Sequence, residues 1–197
     1  MDITTQGNFQ EELKSMDVGD YIAVEYNTAD VKTLGTFTNL GNVDTGDSTN
    51  VQFDINTPTL NGYIYLTKID TGVLLSNQLL FSGVVYKDMN TQNLIAGSLI
   101  TIGSKKFLVR VPSMRELMKA DSTLDGLVDI KDVTTNFNTD TSKKELIQEN
   151  YNLTQGVFGW SNTASATTSN AKSSTAAVYS RLAFIYVDND KSTDVFH

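Results

Sequence analysis

The chain has no cysteine, a single histidine, two prolines, one tryptophan and only three arginines among its 197 residues. Without cysteine there are no disulfides, no thiolate nucleophiles and no Cys-ligated zinc or iron–sulfur clusters. The one histidine is His197, the last residue. A catalytic imidazole must be held within hydrogen-bond reach of its partner, and chain ends are poorly tied down, so neither Ser-His-Asp chemistry nor a histidine-ligated metal is expected. Fifteen basic against 23 acidic residues leave a net charge of −8, with a pI near 4.5. That balance lacks the basic footprint that phosphate backbones require, so no nucleic-acid partner is expected. No apolar run approaches the about 20 residues of a membrane span, and Met1 to Gln6 lacks a basic start leading into an apolar stretch. Neither membrane insertion nor a secretory signal is therefore expected. A hydrophobic share of 40% with 19% charged residues is that of an ordinary globular chain with a core.

What is present is mostly period-two alternation. Asp17-Val18-Gly19-Asp20 reads as a turn into a strand over Tyr21 to Tyr26, where Ile22, Val24 and Tyr26 alternate with Tyr21, Ala23 and Glu25. Gly35 to Leu40, Val51 to Ile55 and Tyr63 to Ile69 continue the pattern, separated by turns at Asn42 to Asn50 and at Asn61-Gly62. Asp70-Thr71-Gly72 predicts a hairpin into Val73-Leu74-Leu75, and Ser76 to Asn93, with two apolar clusters around Gly83, reads as strand. Leu99 to Ile102 and Phe107 to Val111, joined at Gly103-Ser104, form a second hairpin, and Val178 to Val187 is strand-like through Tyr179, Leu182, Phe184 and Tyr186.

Helix starts are marked by three capping-box patterns, in which a polar side chain precedes Glu by three residues. Asn8 with Glu11 predicts a short helix burying Phe9, Leu13 and Met16. Ser113 with Glu116 predicts one directly after the second hairpin, and Ser142 with Glu145 predicts one over Ser142 to Tyr151. Asp121 to Asp140 is a polar excursion. Ser161 to Ala177 is almost entirely Ser, Thr, Ala and Asn and has nothing large to bury, so it predicts an exposed loop.

Arg110-Val111-Pro112-Ser113-Met114-Arg115-Glu116-Leu117-Met118-Lys119-Ala120, emerging from a hairpin, resembles a stretch of C-type-lectin-like domains of the formylglycine-generating-enzyme type. Trp160-Ser161-Asn162-Thr163 and the closing Arg181 to Val187 strand resemble that group's later segments, in the same order. The pieces Val18 to Tyr26, Gly35-Thr36-Phe37, Leu40-Gly41 and Asn61 to Tyr65 are similar to a module found ahead of such domains in tail-associated proteins of phages and prophages of Gram-positive bacteria. The resemblance implies an α+β, mainly β fold: a small N-terminal β module over residues 1–92 followed by a C-type-lectin-like domain over 93–197. It further implies a non-enzymatic virion structural protein of the tail tip, baseplate or fibre that contributes to host-surface receptor binding. Such a protein would be assembled in the host cytoplasm, be a homo-oligomer, and have other virion proteins and a host cell-surface glycan or protein as partners. The catalytic cysteines of the formylglycine-generating enzymes are absent, so their activity is not implied. A capsid decoration or head-fibre protein and a carbohydrate-active enzyme are the alternatives.

The candidate binding residues are Trp160, Asn162, Thr163 and Asn170, an aromatic beside hydrogen-bonding side chains that could stack on a sugar or anchor a protein contact; a core position for Trp160 is the alternative. No catalytic residue is assigned: Glu11, Glu116 and Glu145 sit in capping boxes, Glu12 and Glu149 on expected helices and Glu25 on a strand, whereas a glycosidase needs two carboxylates flanking a cleft. No cofactor is expected. Asp121, Asp125, Asp129 and Asp132 could gather oxygens around calcium, but they lack the alternating spacing of an EF-hand and read as a solvated acidic loop. Arg110 and Arg181 are expected to pair with buried carbonyls or carboxylates near strand ends.

Overall fold

The computed structural model describes residues 8–41, 60–76, 79–113, 116, 146–148, 156–158 and 178–187. Within these the chain is mainly β. A 3₁₀ turn at Leu13–Ser15 precedes β1 (Tyr21–Thr28), β2 (Thr36–Thr38), β3 (Leu60–Asp70), β4 (Val73–Ser76), β5 (Phe81–Val84), a short helix α1 (Tyr86–Thr91), β6 (Ser98–Ile102), β7 (Lys105–Arg110), β8 (Leu146–Gln148), β9 (Gly156–Phe158), β10 (Val178–Ser180) and β11 (Ala183–Tyr186). Seven strands form one sheet in the order β2-β1-β3-β4-β11-β7-β6, every neighbouring pair antiparallel. Two further pairs, β10 with β5 and β8 with β9, stand apart from it. Strands on either side of residue 92 thus share one sheet, joined where β4 pairs with β11.

Period two sets the faces. Ile22, Val24 and Tyr26 lie opposite Leu66, Ile64 and Gly62. The same face continues through Leu74, Phe184 and Val109 into a single cluster that also takes in Leu13, Met16, Leu80, Phe81, Tyr86, Met89, Leu94 and Leu146. Burying each such side chain contributes about 1.5–3 kcal/mol. The sheet is rolled. Phe37 on β2 meets Phe184 on β11 edge-to-face, with ring centroids 5.1 Å apart, although four strand spacings separate β2 from β11. On a flat sheet those spacings would hold the two strands about 19 Å apart.

The turns follow the expected chemistry at two hairpins. Gly103-Ser104 joins Ile102 to Lys105, with Gly103 at φ 61°, as a two-residue loop with glycine first requires. Thr71-Gly72 joins β3 to β4. Helix α1 starts where the Val85 N–H donates to Asp88 Oδ2 (3.0 Å) and ends in a Schellman arrangement. There Asn93 takes φ 61°, its N–H donates to Asn90 O (2.9 Å), and the Leu94 N–H donates to Met89 O (2.8 Å) as the Leu94 side chain enters the core.

Four local expectations are corrected. Asn8 caps no helix: its N–H donates to Asp20 Oδ1 (2.8 Å), Gln10 N–H donates to Tyr21 O (2.8 Å), and Phe9 bridges Tyr21, so only the short turn at Leu13–Ser15 remains helical. Asn61-Gly62 is no turn but lies inside β3, Gly62 opposite the bulky Tyr26. Among the described residues of the expected strand over Ser76 to Asn93, Ser76 ends β4 and Phe81–Val84 is extended, while Tyr86 of the second apolar cluster opens α1 instead. Residues 146–148 form β8, paired with β9, rather than a helix from Ser142, because that places Leu146 in the core with no exposed surface. The expected strand at Val51 to Ile55 lies outside the described residues.

Candidate functional site

Trp160, Asn162, Thr163 and Asn170, the loop Ser161 to Ala177, and Asp121, Asp125, Asp129 and Asp132 all lie outside the described residues. What the structure does bring together is the second face of the sheet. In its middle this face is closed: the cross-strand row Thr67, Leu75, Ala183, Arg110 is buried. At the β2-β1-β3 end it opens. Here Tyr21, Glu25, Tyr63 and Tyr65 are half-buried and Thr36, Thr38 and Asn39 are exposed.

Glu25 is the centre of this end, with Thr38 directly across on β2 and Tyr63 directly across on β3. Side chains so opposed have Cβ atoms about 5 Å apart. The Glu25 carboxylate accepts from Asn27 Nδ2 (3.3 Å), Thr38 Oγ1 (3.0 Å) and Asn39 Nδ2 (2.6 Å). These donors, Asn27 foremost, hold its carboxyl below the usual carboxylate range. Asn39 reaches it from the left-handed region, φ 53°, which Asn tolerates better than most residues. Beside this polar group runs an aromatic series, Tyr65 edge-to-face on Tyr21 (5.1 Å) and Tyr21 on Phe9 (5.7 Å). The sequence placed Glu25 on the polar side of its strand; the signal for the rest was Asn39, an αL-tolerant residue just past a short polar strand.

The remaining buried charges hold the fold. Asp20 gathers the chain before β1: its carboxylate accepts from Asn8 N, Asp17 N and Gln10 Nε2. Lys68 points inward and donates to Met16 O (2.5 Å); burial pushes its ammonium pKa down, against the opposing charges of Asp17 and Asp20. Tyr26 accepts from the Gly35 N–H (3.2 Å), and burial raises its phenol pKa to about 12. Gln92 fastens the chain between β1 and β2 to α1, accepting from Leu34 N (2.6 Å) and donating to Lys32 O (2.8 Å).

The expected capping box at Ser113 is present. Glu116 N donates to Ser113 Oγ (3.2 Å) and Ser113 N donates to Glu116 Oε2 (2.7 Å). The same carboxylate receives both ends of the Arg110 guanidinium, Nη1 at 2.9 Å and Nη2 at 2.6 Å. Arg181 is likewise buried, its Nη1 donating to Ser76 O (3.4 Å). Both arginines therefore sit on partners at strand ends, as their positions predicted.

Among the described residues no group of three His, Cys, Asp or Glu is arranged to hold a metal ion, and no helix is long and apolar enough to cross a membrane. Comparison of the chain with protein-family models, with curated proteins and with solved structures gives no match.

Proposed function

We propose that the chain is a non-enzymatic structural protein of a bacteriophage virion, at the tail tip, baseplate or fibre, with a lectin-like C-terminal half, and that it takes part in attachment to the host surface. The observation that carries the binding part of this reading is the open β2-β1-β3 face, where fixed tyrosine rings stand beside a carboxylate–amide group on a rigid sheet. Such a surface recognises a partner without rearrangement. The use of the other carboxylates points the same way: Asp20, Asp88 and Glu116 each accept backbone N–H donors, the employment of structural rather than proton-transferring groups. The placement in a virion rests on the sequence resemblance.

Two measurements test the reading. Antibody labelling of phage particles, read by electron microscopy, is expected to mark the tail; a label confined to the head, or on no particle, overturns the tail assignment. Purified protein incubated with Gram-positive cell-wall polysaccharide is expected to release no new reducing ends, and turnover abolished by an Asp or Glu substitution overturns the non-enzymatic assignment.

A further inference from the structure

We infer that Glu25, Asn27, Thr38, Asn39 and Tyr63 form a site for the vicinal hydroxyls of a neutral saccharide; this rests on the attachment reading above and specifies its ligand. A sugar hydroxyl is at once a donor and an acceptor, and so it needs an acceptor flanked by donors. The site has that alternation. The Glu25 carboxylate has about four lone-pair positions, and the described donors to it are Asn27, Thr38 and Asn39. Each flanking carboxamide carries a second N–H and a carbonyl oxygen. One hydroxyl can therefore donate to the remaining position on Glu25 while accepting from one of the two carboxamides, and its vicinal neighbour can pair with the other carboxamide.

Charge selects among polyols. Neither ion pair found among the described residues includes Glu25, and the chain carries a net −8. A phosphorylated, sulfated or carboxylated glycan would meet an anion with no ion-pair partner among the described residues, whereas a neutral one gains charge-assisted hydrogen bonds. Tyr63, directly across the ladder from Glu25, supplies an apolar ring for the C–H face of the sugar, and Tyr65 extends it two residues along the same face.

The test is an amide-resonance titration of the full chain with triacetylchitotriose, maltotriose and galactose at millimolar concentration, with a sulfated heparin hexasaccharide as the anionic control. At least one neutral sugar is expected to shift the resonances of residues 25, 38, 39 and 63, and heparin is not. Glu25→Gln and Tyr63→Ala should each weaken that binding about tenfold or more. Asn39→Gly suits φ 53° and keeps the fold, so its weaker binding would report the lost amide alone. No shift with any neutral sugar, an equal shift with heparin, or unchanged affinity in Asn39→Gly overturns the site. Attachment of labelled protein to Gram-positive cells separates this from the broader reading. If wild type and Glu25→Gln attach equally, the site is overturned while attachment stands; if wild type does not attach, the attachment reading falls, and the titration judges the site by itself.

Discussion

Removing the carboxylate of Glu116 should damage the protein far more than its place at the start of a helix suggests. Glu116 and Arg110 are 7% and 6% exposed, and the carboxylate takes both guanidinium nitrogens and the Ser113 N–H. In Glu116→Ala the guanidinium keeps its bond to Val111 O (3.0 Å) but loses its counter-charge in a buried site. Breaking one side of such a pair costs about 3–5 kcal/mol, a large fraction of the about 5–15 kcal/mol that holds a typical domain together. Ser113→Ala removes only the acceptor of the Glu116 N–H and should cost about 0.5–2 kcal/mol. The double variant Arg110→Met/Glu116→Leu deletes both charges and leaves chiefly the Ser113 N–H unsatisfied, about 1–3 kcal/mol. It should therefore be more stable than Glu116→Ala despite carrying two changes. Urea unfolding followed by circular dichroism gives all three values from midpoint and slope. A Glu116→Ala loss below about 1 kcal/mol, or a double variant no more stable than Glu116→Ala, would refute the argument that burial makes this pair costly to break.

Two further predictions concern backbone contact and pH. At Gly41, φ 81°, a Cβ would fall 1.9 Å from Glu11 O, whereas at Gly103, φ 61°, it would meet nothing within 4 Å; Gly103→Ala should thus cost about 1 kcal/mol of left-handed strain and Gly41→Ala several-fold more, and equal melting temperatures would contradict the close approach. Tyr26 has its phenol pKa raised to about 12 in the folded protein, so its contribution is fully present below the unfolded value near 10. That contribution is lost as pH rises from there through 12, with a slope of at most about 1.4 kcal/mol per pH unit. Tyr26→Phe should be less stable at neutral pH, because the Gly35 N–H loses its acceptor, yet lose less on going to high pH; parallel curves for the two proteins would count against it.

Local pattern located the strands whose two faces differ in environment. β1 alternates core and polar residues, and the β6–β7 hairpin has its turn glycine where the loop needs it, so both were legible. The capping-box pattern was ambiguous in principle: Ser113–Glu116 is a true box, while Asn8 and Ser142 carry the same spacing in front of extended chain. Tertiary partners decided between them. Asp20 takes the Asn8 N–H that a helix would have left open, and Leu146 gains the core by pairing with β9. The open face was legible only as an alternation that set Glu25 outward. That Thr38 and Tyr63 flank it depends on strand order, which no local window contains.

β11 lies between β4 and β7, and the residue just before it reaches back across more than a hundred residues: the Leu182 N–H donates to Ser76 Oγ at a separation of 106. During synthesis the β1–β4 group and the β6–β7 hairpin would each emerge with one long edge open, and neither could complete the core until residues 183–186 had left the ribosome. The strand that joins the two groups thus follows both of them in chain order. Pairing so non-local makes for slow folding, and open edges in the interval invite pairing with other chains. A nascent chain stalled short of β11 is the species a chaperone would have to shield, and a separate peptide spanning residues 178–187 is the piece that could complete it.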